Sequence, residues 1–113
     1  MPEKLIELQS AIENNFKSIH NAASYAELIS LSQNAINRSC KEYFKKTLTD
    51  LISDRIILEA KRELYLTVKP VKVIAYELGF SDEFHFSRYF KRNIGISPKT
   101  FRDTVGAGKA SAA

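Results

Sequence analysis

The segment VKVIAYELGFSDEFHFSRYFKRNIG, residues 71–95, contains the clearest structural signals in the chain. Its first half has apolar residues at helical spacing and is followed by Gly79, which readily takes the left-handed conformation that ends a helix. Ser81 then predicts the N-cap of a second helix over residues 82–94, and Gly95 is placed to end it. A short helix, a tight turn and a longer helix in this order predict a helix-turn-helix unit.

The same arrangement occurs a second time nearer the N-terminus, over residues 23–43. A short helix is followed by the link Ser30-Leu31-Ser32, and Ser32 predicts the N-cap of the longer helix. In such units the second helix enters the DNA major groove by its N-terminal turns. The two presumed recognition helices therefore begin at Gln33 and Asp82.

Residues 48–66, between the two units, predict one long linker helix. Thr47 and Asp50, three residues apart, resemble a capping pattern at its start. A stripe of apolar residues recurs every fourth position, at Leu48, Ile52, Ile56, Ala60 and Leu64. Further apolar residues off this stripe predict packing on more than one face, namely Leu51, Ile57, Leu58 and Tyr65. The helix would be about 28 Å long, close to the roughly 34 Å between successive major grooves on one DNA face.

The remaining sequence is also typical of helix, so the predicted fold class is all-α, with two helix-turn-helix subdomains joined by the linker helix and about seven helices in all. Only four Gly and three Pro interrupt the chain, and no segment alternates apolar and polar residues with strand period. The predicted organisation is a first subdomain over residues 1–47, the linker helix over 48–66, a second subdomain over 67–104 and a disordered tail over 105–113.

Helix ends and buried positions follow from the same patterns. A first helix is predicted from Glu3 to Ile19, and a last helix from Pro98 to about Thr104, with Ser97 as its cap. Apart from the linker stripe, the residues predicted to be buried are Leu5, Leu8, Ile12, Phe16, Ile19, Tyr25, Ala26, Leu28, Ala35, Ile36, Cys40, Tyr43, Val71, Ile74, Ala75, Leu78, Phe86, Tyr89 and Phe90.

Three stretches of the second unit carry a family resemblance: IAYELGFSD at residues 74–82, FSRYFK at 86–91 and GISP at 95–98, followed by Phe101 and Arg102. Together they resemble the signature of the AraC/XylS family of transcription regulators, and DRIILEAK at residues 54–61 is similar to that family's linker helix. The resemblance covers residues 16–102. The first unit departs from it where the family often has Thr-Gly after the recognition helix, because Phe44 and Lys45 stand there.

The candidate DNA-reading residues lie on the polar faces of the two recognition helices. Asn and Gln side chains pair with adenine and Arg pairs with guanine. Matching the family's recognition positions, the resemblance implies base contacts from Asn34, Asn37 and Arg38. On the outward face of the second recognition helix the candidates for base contacts are Phe84, His85 and Arg88, and Arg88 would meet either a base or a phosphate. Phe84 departs from the family, which usually has a small polar residue there. Phe84 would either contact a thymine methyl group or pack against its own turn, and His85 would either donate to a phosphate when protonated or take no part. A solvated polar face is the alternative reading of the first recognition helix.

A second set of residues is predicted to contact the DNA backbone. Lys and Arg neutralise phosphates, and helix N-termini attract anions. This set comprises Gln33, Lys41, Lys45, Lys46, Lys72, Ser87, Lys91, Arg92 and Lys99.

The charge distribution agrees with a polyanionic partner, and the expected partner is double-stranded promoter or operator DNA. Residues 1–32 hold two Lys and four Glu, whereas residues 33–113 hold fifteen Lys and Arg against nine acidic residues. The resemblance further implies contact with RNA polymerase and, in many relatives, an N-terminal sensor and dimerisation domain that is absent from this segment. A helical module that binds a protein or RNA is the alternative function.

Other functional classes are disfavoured by what the sequence lacks. No apolar run approaches the roughly 20 residues that cross a bilayer, and a signal peptide is not recognisable, which predicts a cytoplasmic protein without membrane contact. Cys40 is the single cysteine and is expected to be a small buried residue. With His20 and His85 it forms no recognised catalytic or metal-binding pattern, so no enzyme activity, cofactor or metal is predicted.

Overall fold

The computed structural model describes the backbone of residues 2–112 and the side chains of residues 2–105. Within this part the chain contains seven helices and no strand, which confirms the all-α prediction. The helices are α1 Glu3–Asn15, α2 Ala22–Leu28, α3 Gln33–Phe44, α4 Leu48–Leu66, α5 Val71–Glu77, α6 Glu83–Ile94 and α7 Pro98–Ala112. The chain forms two compact units, Met1–Ile56 and Ile57–Ala113, and α4 is divided between them. Each unit contains one helix-turn-helix, α2–α3 in the first and α5–α6 in the second.

In the first unit α1, α2 and α3 pack on one another around an apolar core. The stripe Leu5, Leu8, Ile12 and Phe16 of α1 is buried as its spacing predicts. Tyr25 is fully buried, and its hydroxyl donates a 2.7 Å hydrogen bond to the Ile19 carbonyl. Burying a phenol without a partner would be unfavourable, so this bond lets an aromatic ring fill the core.

The turn of the first unit is tight and is closed by hydrogen bonds. Ser30 takes a positive φ of 57°, and the Leu31 N–H donates to the Ala26 carbonyl at 3.1 Å. The Ser32 hydroxyl accepts from the Ala35 N–H at 3.2 Å, which confirms Ser32 as the N-cap of α3. At the other end of α3, Lys45 adopts the left-handed conformation with a φ of 60°. Lys45 thus ends the helix without the glycine that the family resemblance leads us to expect there, although this conformation is less favourable for a residue with a Cβ atom.

The start of α4 has the predicted capping pattern. The Thr47 hydroxyl accepts from the Asp50 N–H at 3.1 Å, and the Asp50 carboxylate accepts from the Thr47 N–H at 3.0 Å. The hydrogen bonds from the Thr47 N–H and hydroxyl lower the pKa of Asp50, because they stabilise its charged form. The predicted α4 stripe is buried throughout, with Leu48, Ile52, Ile56, Ala60 and Leu64 each at most 1% exposed.

In the second unit α6 packs on α5 and α7 around a more aromatic core. Phe86 and Phe90 are fully buried, and the Phe80 ring meets Phe86 edge-on at 5.3 Å between centroids. Phe90 meets Phe101 in the same way at 5.5 Å. Edge-to-face pairs of this kind add to the stabilisation from apolar burial. The aromatic cluster therefore fixes α6 between its two neighbours.

The two glycines act as the sequence predicts. Gly79 has a φ of 88° and Gly95 a φ of 96°, both in the left-handed region that side chains disfavour. Gly79 ends the short helix of the second unit in the same way that Ser30 ends the short helix of the first. Gly95 is the C-cap of α6, and its N–H donates to the Lys91 carbonyl at 2.7 Å.

Several predicted boundaries need correction. α1 ends at Asn15 rather than Ile19, because the Asn15 carbonyl accepts from the N–H groups of both Ser18 and Ile19 and forms a turn. The N-cap of α6 is Asp82 rather than Ser81, since the Asp82 carboxylate accepts from the His85 N–H at 2.6 Å. The last helix continues to Ala112 instead of ending near Thr104. The predicted disordered tail falls mostly on residues 106–113, whose side chains lie outside the described residues.

Some residues predicted to be buried are exposed. Leu28 and Tyr43 are about half exposed, and each lies in the last turn of its helix, α2 and α3 respectively. On α4 the off-stripe residue Ile57 is buried, as packing on a second face requires, but Leu58 and Tyr65 are exposed. Ile19, Ala35, Val71 and Tyr89 are half-buried rather than core residues.

Candidate nucleic-acid interface

The exposed face of α3 presents hydrogen-bonding and basic side chains at its N-terminal end and along one side. Gln33, Asn34, Arg38 and Lys41 are all exposed, whereas Ile36 and Cys40 on the opposite side are buried. Ser32 holds the first turn of this helix in place through its cap. The structure therefore brings together four of the residues predicted from the first unit on a surface that a DNA groove can reach.

Asn37 differs from these four residues because its amide is used inside the unit. The side chain is half-buried, and its Oδ1 atom accepts a 2.8 Å hydrogen bond from the Leu48 N–H at the start of α4. The predicted base contact of Asn37 therefore competes with a hydrogen bond that joins α3 to α4.

Two lysines follow α3 with different surroundings. The Lys45 Nζ donates to the Glu42 carbonyl at 3.3 Å and lies on the surface. The Lys46 ammonium forms an ion pair with Asp54 of α4, and this hydrogen bond raises the pKa of Lys46. A phosphate would have to compete with the Asp54 carboxylate for Lys46.

On α6 the exposed side of the first two turns combines an aromatic ring with a guanidinium. Phe84 is 70% exposed, which is unusual for so large an apolar side chain. The central carbon of the Arg88 guanidinium lies 5.6 Å from the centroid of the Phe84 ring, within the range of a cation–π contact. Phe84 therefore does not pack into the core, and Arg88 lies beside it on the exposed face.

The neighbouring positions of α6 divide into packed and exposed side chains. The His85 side chain is largely exposed, but its ring meets Phe80 edge-on at 5.4 Å between centroids. Ser87 is half-buried. Lys91 and Arg92 are exposed in the last turn, and the Arg92 guanidinium lies 5.6 Å from the centroid of the Tyr89 ring. These cations also suit the negative end of the helix dipole.

The last two predicted backbone contacts lie at helix N-termini. Lys72 is exposed in the first turn of α5. Lys99 is exposed in the first turn of α7, and its ammonium pairs with Asp103 at 3.1 Å. This pair is one turn apart on a solvated surface, where such pairs contribute little to stability.

The two recognition helices present the same basic pair. Arg38 and Lys41 on α3 recur as Arg88 and Lys91 on α6, fifty residues later, and all four side chains are exposed. The residues beside the pair differ, since α3 carries Asn34 where α6 carries Phe84. The two exposed faces therefore share the same basic residues and differ in the side chain beside them.

Two arginines for which the sequence patterns predict no role form hydrogen bonds that hold parts of the fold together. The Arg102 guanidinium of α7 donates to the carbonyls of Lys69 at 2.6 Å, Leu64 at 3.0 Å and Thr67 at 3.3 Å, and so completes the C-terminal end of α4. Arg55 forms a bidentate pair with Glu13 of α1, at 2.7 and 3.1 Å, and lies over the Phe16 ring. Their partners lie more than thirty residues away in the sequence, so no local pattern could have indicated them.

Other kinds of site are not supported by the described part of the chain. No group of three or more His, Cys, Asp or Glu side chains is arranged there to hold a metal ion, and no helix there is long and apolar enough to span a membrane. Burial raises the pKa of the Cys40 thiol, which disfavours the thiolate that a nucleophile needs.

Comparison with known proteins places this arrangement in a family. A family model described as a helix-turn-helix domain matches residues 25–104. The transcriptional activator RhaS of Pectobacterium carotovorum is 31% identical over 91 residues, which are 80% of this chain and 33% of that protein. The arabinose operon regulatory protein of Escherichia coli is 31% identical over 80 residues, 71% of this chain and 27% of that protein. The chain thus spans about a third of the length of the curated relatives that it matches.

Solved structures share the fold. The C-terminal domain of AraT, a response regulator from Geobacillus stearothermophilus, aligns with a TM-score of 0.82 at 24% identity, covering 91% of this chain and 86% of that one. The DNA-binding domain of AdpA, solved in complex with a target DNA, aligns with a TM-score of 0.81 at 20% identity, covering 96% and 98%. With two helix-turn-helix units, the linker helix between them and a family match over residues 25–104, this chain belongs to the AraC/XylS family of transcription regulators.

Proposed function

We propose that this chain binds double-stranded DNA sequence-specifically, with α3 and α6 in adjacent major grooves, and thereby regulates transcription. The observation that carries the proposal is the repeated exposed pair of Arg38 with Lys41 and Arg88 with Lys91, each on the second helix of a helix-turn-helix unit. Arg reads guanine edges and Lys neutralises phosphates, so each helix holds both kinds of group that DNA recognition needs.

The relatives support the regulatory part of the proposal. RhaS is named a transcriptional activator and the Escherichia coli relative an operon regulatory protein. We further propose that the chain contacts RNA polymerase and that it works together with a sensor or dimerisation domain. Transcription from a promoter carrying the bound site, measured with purified RNA polymerase and the chain, tests the first of these extensions.

DNA footprinting tests the central proposal. A site selected from a random duplex library should show two protected major-groove segments about 10 base pairs apart on one face. Substituting Arg88 with Ala should weaken the protection of one segment and leave the other segment protected at the same base pairs. A single short protected segment would contradict the use of both helices. Tighter binding to single-stranded RNA than to duplex DNA at moderate salt would instead favour an RNA-interaction module.

A further inference from the structure

Asn37 and Ser87 occupy matching positions in the two units, but the helix that follows offers a backbone N–H donor to Asn37 and none to Ser87. Each follows a buried residue of the recognition helix, and each is half-buried. The residue that begins the next helix is Leu48 in the first unit and Pro98 in the second, and both are buried. Leucine carries a backbone N–H at this position, whereas proline has none.

The Leu48 N–H is one of the first N–H groups of α4, which have no partner within the helix. The capping pattern does not satisfy it, because the Thr47 hydroxyl accepts from the Asp50 N–H and the Asp50 carboxylate accepts from the Thr47 N–H. Asn37 Oδ1 supplies the acceptor at 2.8 Å. In the second unit Pro98 removes the donor, and no acceptor is needed at Ser87.

The orientation of the Asn37 amide follows from this contact. Since the partner is an N–H group, the atom facing it must be the carbonyl oxygen rather than the amide nitrogen. An Asn that reads adenine presents its oxygen and its nitrogen together to one base edge. In Asn37 the oxygen faces Leu48 instead.

We infer that Asn37 is a positioning residue, which holds the recognition helix α3 on the start of α4, and that it does not read a base. The inference rests on the proposed DNA binding and deepens it. Base reading by the first unit then falls to Asn34 and Arg38, which are exposed. The two recognition helices are consequently not equivalent. Asn37 in α3 accepts a hydrogen bond from the start of the next helix, whereas Ser87, at the matching position of α6, is followed by a helix that begins with a proline, which has no N–H to donate.

Amide hydrogen exchange of the full chain without DNA tests the hydrogen bond by itself. Asn37→Ala should accelerate exchange at the Leu48 amide by about fivefold to tenfold, the effect of losing one hydrogen bond. Asn37→Asp keeps an acceptor at the same place and should preserve the slow exchange. Asn34→Ala, on the exposed face of the same helix, should leave the Leu48 amide unchanged. An unchanged Leu48 exchange rate in Asn37→Ala would overturn the inference, whether or not the chain binds DNA.

Binding profiles on a random duplex library then separate positioning from base reading. Asn37→Ala should weaken binding to all preferred sites by a similar factor and keep the preferred base at every position. Asn34→Ala should relax the preference at one position. Loss of preference at a single base pair in Asn37→Ala would overturn the positioning role. Absence of DNA binding by the unsubstituted chain would refute the proposed function and leave the exchange result standing.

A rescue variant completes the test, since Leu48→Pro recreates the arrangement of the second unit. Without the N–H at position 48, removing the Asn37 amide should lower the stability of the chain only slightly. The loss of melting temperature caused by Asn37→Ala, roughly 4–8 °C in the parent chain, should shrink to less than about 2 °C in the Leu48→Pro background. An undiminished loss in that background would contradict the inference.

Discussion

The Arg88 guanidinium lies over the Phe84 ring on the exposed side of α6, with 5.6 Å between the guanidinium carbon and the ring centroid. The ring is 70% exposed, so burial in the core does not account for a phenylalanine at this position. A ring next to a guanidinium suits a thymine beside a guanine, because the thymine methyl group takes an apolar contact and the guanine edge takes the Arg.

Replacing thymine by deoxyuridine in the bound site tests this contact, because the change removes only the methyl group. At one position the affinity of the chain should fall roughly fourfold, about 0.8 kcal/mol, the value for one buried methyl-sized group. Phe84→Ala should bind the thymine and deoxyuridine duplexes equally. Equal sensitivity of the parent and Phe84→Ala to every replacement would exclude a methyl contact by Phe84.

Replacing Arg38 and replacing Lys41 should have different kinds of effect on DNA binding. Arg38→Ala should lower affinity for the selected site by about 1–3 kcal/mol and flatten the preference at one base position, with a smaller loss on scrambled DNA. Lys41→Ala should weaken all duplexes about equally and reduce the slope of log affinity against log salt by about one. Titration of both variants on both duplexes at several salt concentrations measures the difference. If Arg38→Ala lost affinity equally for the selected and the scrambled duplex, Arg38 would not read a base.

Two apolar residues of α4, one buried and one exposed, allow the contribution of core packing to stability to be measured. Ile56 is fully buried, while Leu58 on the same helix is 52% exposed. Ile56→Ala should cost roughly 2–5 kcal/mol of unfolding free energy, because it leaves a cavity in a packed region. Leu58→Ala should cost less than about 1 kcal/mol. Urea unfolding measures both, and similar costs for the two variants would mean that the stripe does not carry the packing of α4.

Tyr25 should make the chain less stable in alkaline solution. Burial raises the pKa of its hydroxyl from 10.0 to about 12, since the neutral phenol is favoured in the core. Its contribution is therefore complete below pH 10 and is lost as the pH rises towards 12. The unfolding free energy measured in urea between about pH 8 and 11 should show the beginning of this decline.

Tyr25→Phe and Tyr43→Phe are the controls for this pH dependence. Tyr25→Phe should cost about 1 kcal/mol at neutral pH, because the hydrogen bond to Ile19 is lost, and should flatten the alkaline decline. Tyr43 is 49% exposed, so Tyr43→Phe should leave the decline in place. An alkaline decline as steep in Tyr25→Phe as in the parent would assign it to other groups.

Local patterns were sufficient for the helices and for the exposure of most of the candidate DNA-contacting residues. Ser32, Gly79 and Gly95 act within their own turns, and the apolar stripe of α4 repeats at the period of the helix, so neighbouring residues alone predict these features. The exposed positions of Arg38 and Arg88 follow in turn from the buried positions opposite them. These are short-range effects, because each depends only on residues within one helix or the turn beside it.

Tertiary packing decided which polar and apolar side chains depart from those patterns. Asn37 has the type and spacing of a base-reading residue, yet its partner is the N–H of Leu48 in the following helix. The acceptors of Arg102 lie 33 to 39 residues earlier in the chain. Leu28 is apolar and at helical spacing, but about half of its surface stays exposed. In each case the free energy depends on which element approaches the side chain, and helical periodicity carries no information about that approach.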